Sequence, residues 1–441
     1  MWYRSARRQE PNHLLQRRAA TIPRMKRARQ LVATVLAAAA LVVTAAPSSP
    51  PSIDDLTWNP IFGTTSAPLA NGAVWAITVD GDDVYVGGAF TNFAGIAAAD
   101  RIAKWDAASQ AWEALAPAGA TDGLITAGTI YNIAVDAGVV YVGGKYTVDT
   151  GAVDCDNLST FTTATSTWSG FGTCPSNQLI DPTKTVYTVE KIPGGPLYVG
   201  GNFLNANGDS NFDFGIYGTY TGSGWSWSGL GDNGAGGPAL SDFVSNVVAH
   251  PDGDVLVVGN FGSAGGVTGA NSLGRFDSTQ TPNWYAQDTP AVSFYGALNT
   301  GTELYASGWE GAYLRTGGNS WRELCTTELG TATATWGSLA TTSSGLLLVG
   351  GIGLYACDTT DGGSATLVPN GGTVRALATY RGATIVGAST TLAGGTDYIA
   401  VLGDVLPSTN GNSRQATDMV ILLATLTALT ALAGTQLLRR A

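Results

Sequence analysis

The stretch AVWAITVDGDDVYVGG, residues 73–88, reads as two apolar strands joined by an Asp-Gly turn and closed by a pair of glycines. The pattern recurs. YNIAVDAGVVYVGG ends at Gly144, VYTVEKIPGGPLYVGG at Gly201 and VSNVVAHPDGDVLVVG at Gly259. Three looser copies follow: FYGALNTGTELYASG ending at Gly308, WGSLATTSSGLLLVGG at Gly351 and VRALATYRGATIVG at Gly387. A module of this kind cannot bury both of its faces alone, so repeated copies must stack on one another.

Each copy runs on through a loop into a third strand with an aromatic or aliphatic centre, and usually a tryptophan follows seven or eight residues later. Trp105 leads to Trp112, Phe161 to Trp168, Phe276 to Trp284 and Tyr313 to Trp321. The third copy offers Tyr217 with Trp225 and Trp227, and the sixth has Tyr355 with Leu367. Four strands per unit, at a spacing of roughly 37 to 59 residues, predict the blades of a propeller. The seventh unit stops at its third strand, Tyr398 to Leu402, and the missing fourth strand stands at the front of the array, Leu56 to Ile61. The expectation is an all-β, seven-bladed β-propeller of four-stranded antiparallel blades over residues 54–404. Its last blade borrows an outer strand from the N-terminal side, so the ring keeps no open edge. On this reading the paired glycines allow positive φ and close approach of neighbouring blades. The tryptophans fill the wider outer gaps as core, not as ligand platforms.

Apolar strand, Tyr-Val-Gly-Gly, an aromatic-Asp strand (Trp105-Asp106, Phe276-Asp277) and then tryptophan resembles the kelch and galactose-oxidase type of propeller repeat. The stretch from Tyr198 to Phe203 is most similar to surface-exposed kelch-like propellers. That resemblance implies the fold and leaves activity open, because such propellers include oxidases, scaffolds and cell-surface proteins.

Composition agrees with a turn-rich β protein: 59 glycines and 12% charged residues against 44% hydrophobic ones, in 441 residues, exclude a helical bundle and a disordered chain. Charge is uneven. Nine of the 22 basic residues lie before position 30 and Arg439 and Arg440 end the chain, so the middle holds eleven basic against 32 acidic residues, a net −21. A field of that sign repels phosphate backbones, and no nucleic-acid partner is expected.

Residues 1–45 read as a signal peptide with a long basic n-region. An apolar helix follows at Leu31 to Ala46, with Val43 and Ala45 before the cleavage point and an alternative start at Met25. At the other end, residues 405–418 form a linker, residues 419–438 are twenty uncharged residues long enough for a transmembrane helix, and 439–441 are a basic cytoplasmic tail. Within the linker, Leu406, Pro407, Ser408, Thr409 and Asn410 precede the span in the order of a cell-wall sorting signal. This resembles the substrates of sortase, although their pattern ends in Gly where this chain has Asn410. The resemblance implies sortase as a partner and covalent attachment through Thr409. A plain membrane anchor preceded by a linker is the alternative. Either way the propeller is expected outside the cell, at the membrane or the wall.

Cys155, Cys174, Cys325 and Cys357 are even in number and lack CxxC spacing, which predicts two disulfides in an exported chain. Nearness in sequence favours Cys155 with Cys174 and Cys325 with Cys357, among three possible connectivities. Histidine is nearly absent. His13 lies in the leader and His250 falls in a His-Pro-Asp-Gly turn, so a multi-imidazole copper or zinc centre is excluded and with it galactose-oxidase chemistry. Acidic residues sit mostly in turns such as Asp80-Gly81-Asp82-Asp83, with no evident acid and base pair. The candidate metal ligands are Asn205, Asn207, Asp209, Asn211 and Asp213, alternating oxygen side chains suited to Ca²⁺; otherwise no cofactor is expected. Loops Thr91 to Asp100, Thr147 to Asp156, Leu204 to Asp213 and Gly262 to Asn271 should share one face and form the recognition surface. The function expected is non-catalytic binding of an extracellular protein or glycan. A carboxylate-dependent glycan hydrolase or lyase and a passive surface-layer part are the alternatives.

Overall fold

The computed structural model describes residues 56–59, 68–148, 156–173, 177–281, 283–287, 293–308, 311–325, 337–359, 364–369, 371–392 and 397–403. Segments 1–45, 405–418, 419–438 and 439–441, with Cys155, Cys174 and the Leu406 to Asn410 motif, lie outside them. The described residues hold seven four-stranded antiparallel sheets, the seven blades of the expected propeller, and one extra two-stranded ribbon. Blade 1 comprises Val74–Asp80, Asp83–Gly88, Ile102–Asp106 and Ala111–Ala114. The inner strands of the remaining blades are Ile125–Asp136, Thr185–Lys191, Val244–Ala249, Phe294–Asn299, Leu339–Thr341 and Val374–Tyr380. Each inner strand packs against those before and after it, and that of blade 7 packs on that of blade 1.

Blade 7 is completed by Trp58–Asn59, which pairs antiparallel with Ile399–Leu402, Trp58 facing Leu402 and Asn59 facing Val401. The Gly403 N–H donates to the Thr57 carbonyl at 2.8 Å, and the Trp58 indole donates to the Pro369 carbonyl of blade 6 at 2.9 Å. Blade 1 is held to blade 7 from its own side as well. Leu69 and Ala70 donate their N–H groups to the Asp397 carboxylate at 2.6 and 3.1 Å, and Arg381 pairs with Asp82 at 2.9 Å. Burial raises the Asp397 carboxyl above its ordinary range, against four backbone N–H groups that favour the anion.

The paired glycines serve close approach, and not positive φ: neither Gly87 nor Gly88 lies in the left-handed region. A Cβ on Gly87 would stand 2.6 Å from the Ile130 side chain of blade 2, one on Gly143 2.7 Å from Val186, one on Gly200 2.4 Å from Val244 and one on Gly387 2.5 Å from Val74. The first glycine is thus the hole into which a branched residue of the next inner strand inserts. The second meets its own blade's inner strand: a Cβ on Gly88 would lie 2.1 Å from the Ala73 carbonyl. Left-handed backbone falls one loop later, at Arg101, Asn157, Phe214 and Ser272, whose carbonyls accept the N–H groups of Gly88, Gly144, Gly201 and Gly259.

Outer-strand tryptophans join blades by a repeated hydrogen bond. The Trp168 indole donates to the Leu115 carbonyl at 2.9 Å and that of Trp284 to the Leu230 carbonyl at 2.7 Å, each reaching the preceding blade as Trp58 does. The ladder also sets which third-strand residues the outer tryptophans face. Trp321 faces Arg315, not Tyr313, while Trp227 faces Gly218 and Trp225 faces Tyr220, leaving Tyr217 opposite Ser228. In blade 2 the second strand continues through Thr147 and Val148, which pair with Ala127 and Ile125, so the loop starts later than expected. The Cys325–Cys357 disulfide ties the outer strand of blade 5 to the third strand of blade 6, with Cα atoms 6.1 Å apart.

Replacing Trp58→Ala removes the indole donor and the ring packed at the seam. Chemical denaturation should then report a loss of about 2–4 kcal/mol, and an unchanged midpoint would mean that the borrowed strand does not close the ring.

Candidate functional site

Near its start, the inner strand of six blades carries the same irregularity. The ladder slips between Val74 and Ala76, Ile130 and Asn132, Val186 and Thr188, Val244 and Asn246, Phe294 and Gly296, and Val374 and Ala376. A bulge re-aims the residue it leaves out of register. The residues at the slip are Trp75, Tyr131, Tyr187, Ser245, Tyr295 and Arg375, and all line one cavity of about 160 Å³ on the propeller axis, joined by Gly337 from blade 6.

The lining is lopsided. Arg375 lies over the Trp75 ring at 4.5 Å, Trp75 meets Tyr131 edge-on at 5.2 Å, Tyr131 meets Tyr187 at 5.7 Å, and Tyr187 meets Phe243 at 5.8 Å. A continuous π arc capped by a cation therefore spans blades 7, 1, 2 and 3. The Arg375 Nε donates to the Ser389 hydroxyl at 3.1 Å, which fixes the guanidinium over the ring. Burial raises the Tyr131 and Tyr187 phenols and lowers the Arg375 guanidinium, so at neutral pH the arc presents neutral rings and one charge.

In blades 2 and 3 the residue after the bulge laces the inner strands sideways. The Asn132 amide oxygen accepts the Val189 N–H at 3.1 Å and the Thr188 hydroxyl accepts the Val247 N–H at 3.2 Å. On blades 4 and 6 the matching residues are Asn246 and Ser338, whose buried side-chain oxygens have no hydrogen-bond partner among the described residues although both residues line the cavity. The cavity thus opposes ring faces to unused polar capacity, and no carboxylate, imidazole or thiol is among its described lining residues.

The same end of the ring carries the loops after the second strands, because the bulged start of each inner strand pairs with the end of the second: Val74 with Gly88, Val186 with Gly201, Val244 with Gly259. Two of these loops share a conformation. Asn92 and Ala94 in the first, and Asn205 and Asn207 in the third, take left-handed backbone around a short 3₁₀ turn. The Asp100 carboxylate accepts the Asn92 N–H at 2.8 Å, as Asp213 accepts that of Asn205 at 2.7 Å, while Asp209 accepts the Asn211 N–H at 2.9 Å. Of the candidate ligands Asn205, Asn207, Asp209, Asn211 and Asp213, the two carboxylates thus bond backbone of their own loop. Among the described residues, no group of three or more His, Cys, Asp or Glu is placed to hold a metal ion.

His250 sits at the opposite end, its side chain fully buried in its hairpin turn. Its Nδ1 accepts the Asp252 N–H at 3.2 Å and lies 3.0 Å from the Asp254 carboxylate, which Arg275 also binds. This cluster joins turns rather than facing a cavity. The channel residues Trp75, Tyr131, Tyr187, Tyr295 and Arg375 were not singled out from sequence, yet aligning the seven copies on Val74, Ile130, Val186, Val244, Phe294, Trp336 and Val374 reads Trp, Tyr, Tyr, Ser, Tyr, Gly, Arg one place on.

No protein-family model and no curated protein matches the sequence. Solved structures do match in fold. A catalytically inactive variant of virginiamycin B lyase from Staphylococcus aureus with quinupristin superposes with a TM-score of 0.51 and 11% identity, over 79% of this chain and 99% of that one. The extracellular domain of a hybrid two-component system from B. thetaiotaomicron gives 0.48 and 14%, over 78% of this chain, which spans only 39% of that one. The WD40 β-propeller domain of Doa1 gives 0.46 and 11%, over 79% and 97%. At these identities the likeness speaks for the propeller fold alone.

One ionisable group in the inner wall gives a measurable signature. Glu190 is half-buried, accepts the Ala249 N–H of blade 4 at 3.0 Å, and desolvation pushes its carboxyl from the ordinary 4.5 up to about 7. Because the folded value lies above the unfolded one, the folded state binds the extra proton between those limits. Its stabilising contribution is complete below about pH 4.5 and is lost as pH rises through about 7. Glu190→Gln should flatten that decline by about 3 kcal/mol between pH 4.5 and 8, read from denaturation curves across the range.

Proposed function

We propose that this chain is an exported, surface-anchored binding protein whose propeller recognises an extracellular protein or glycan at the mouth of its axial channel, without catalysis. The observation that carries this reading is the bulge repeated at one position of the inner strands, which gathers Trp75, Tyr131, Tyr187, Tyr295 and Arg375 around one cavity. Aromatic faces beside a few convergent polar groups are the usual make-up of a recognition pocket. The cavity's volume is close to that of an engineered site of about 150 Å³ that holds a benzene ring. It therefore suits one ring-sized group, a single sugar residue or a single side chain, presented by a larger partner. Arg375 favours a ligand with an acceptor or a negative charge at the arc, and Asn246 and Ser338 favour donors on the opposite wall.

Export is supported by the Cys325–Cys357 disulfide, since such bonds persist in oxidising compartments. Anchoring through the C-terminal segment rests on the sequence reading of residues 405–441 alone.

Binding of the purified protein to a glycan array and to a panel of cell-surface proteins, with hydrolysis assayed in parallel, tests the reading. Trp75→Ala and Tyr131→Ala should each weaken binding by about tenfold while the circular dichroism spectrum stays that of the parent. Turnover of a glycan, or binding indifferent to both substitutions, would sink it.

A further inference from the structure

Blade 3 carries two aromatic residues that the blade pattern does not require. In blades 1, 2 and 4 a third-strand aromatic faces the outer tryptophan: Trp105 with Trp112, Phe161 with Trp168, Phe276 with Trp284. Gly218 takes that place in blade 3, so the Trp227 ring lies across bare backbone, 2.8 Å from where a Gly218 Cβ would stand. Two residues further out, Tyr220 faces Trp225.

Trp225 stacks on Trp227 with ring centres 5.7 Å apart and meets Phe171 of blade 2 edge-on at 5.3 Å. Tyr220 tilts against Trp225 at 5.6 Å and keeps 59% of its surface exposed. Tyr220 thus offers an exposed ring beside the half-buried Trp225.

Of these rings, Tyr220 and Trp225 form one wall of a groove of about 630 Å³ between blades 2 and 3. The facing wall is a row of hydroxyls. Thr160 and Thr162 share one face of their strand, next to Ser169 of the outer strand. Thr160 donates to the Ser169 carbonyl, whereas the hydroxyls of Thr162 and Ser169 make no hydrogen bond among the described residues. At the groove's end Lys191 pairs with Asp136 at 2.8 Å and donates to the Ile192 and Gly195 carbonyls, which leaves the site without net charge.

We propose that this groove binds a neutral oligosaccharide, whose pyranose faces stack on Tyr220 and Trp225 while its hydroxyls meet Thr162 and Ser169. Sugar rings offer an apolar C–H face to the negative face of an aromatic ring and hydroxyls at the rim, which matches the two walls. Its compensated charge disfavours an acidic or basic peptide. With roughly four times the volume of a cavity that holds one six-membered ring, the groove accepts a run of about two to four sugar units. It lies at the inner-to-second-strand turn of blade 3, Gly194 to Pro196, the end of the ring away from the channel mouth, so it stands independently of the proposed function.

Calorimetric titration of the full-length protein with cellohexaose, xylohexaose, mannohexaose and chitohexaose tests it. At least one hexasaccharide should bind, and Tyr220→Ala and Trp225→Ala should each lower its affinity by about tenfold, while Trp75→Ala leaves it unchanged. Tyr220 is exposed enough for its variant to keep the parent's thermal midpoint. The proposal is overturned if none of the four sugars binds, or if binding survives both groove substitutions.

Discussion

A branched side chain pressed against a bare glycine backbone sets the spacing of this ring. Ile130 against Gly87, Val186 against Gly143, Val244 against Gly200 and Val74 against Gly387 are the same contact at four interfaces, with hypothetical Cβ distances of 2.4 to 2.7 Å. Real Cβ atoms do not tolerate such approach, so any side chain there would force neighbouring inner strands apart. Displacement at the axis becomes rotation at the rim, where the Trp168 and Trp284 indoles reach carbonyls of the preceding blade. The ring can close only if every interface keeps its angle, and the last closes through Trp58, Asp397 and Arg381.

Two blades depart from the rule, blade 4 with Val258 and blade 5 with Ser307 at the first-glycine position, and the second shows how the constraint works. In blade 5, Ser307 stands where the first glycine is expected, and its hydroxyl occupies space that any Gly337 side chain would need, 2.1 Å from the hypothetical Cβ. Gly337 is also the channel position of blade 6. A side chain added on one side of the interface is compensated by one removed on the other, and the axis loses an aromatic there. Packing between blades and the lining of the channel are therefore coupled through the same few residues.

Much of the fold was legible because its determinants repeat. The glycine endings and the turns recur in every copy and the outer tryptophans in most, and the borrowed strand at Trp58 could be placed by its likeness to Ala111 to Leu115. The site was not legible for the complementary reason. Trp75, Tyr131 and Tyr187 look like ordinary strand residues, and only the slip in register, invisible in a pattern of alternating hydrophobicity, turns them to the axis. Trp225 and Trp227 were read as one outer pair filling the core, because a ladder offset created by Gly218 leaves no trace in the spacing. The alternating Asn and Asp of the third loop were read as suited to a cation, and the two carboxylates among them accept backbone N–H groups of that loop.

Variation at the bulged position carries a physical meaning of its own. The long side chains Trp75, Tyr131, Tyr187, Tyr295 and Arg375 line the channel, whereas at Ser245 and Gly337 the contact with the neighbouring blade limits what can stand there. Three adjacent blades nevertheless carry Trp, Tyr and Tyr with edge-on contacts between them, and the neighbour on the other side carries an arginine held over the tryptophan by Ser389. Those contacts fix the rings on strands already locked by the glycine packing. A ligand entering the mouth meets a surface whose conformational entropy was surrendered in folding, and the binding energy of ring against ring is then available for affinity and not spent on ordering the site.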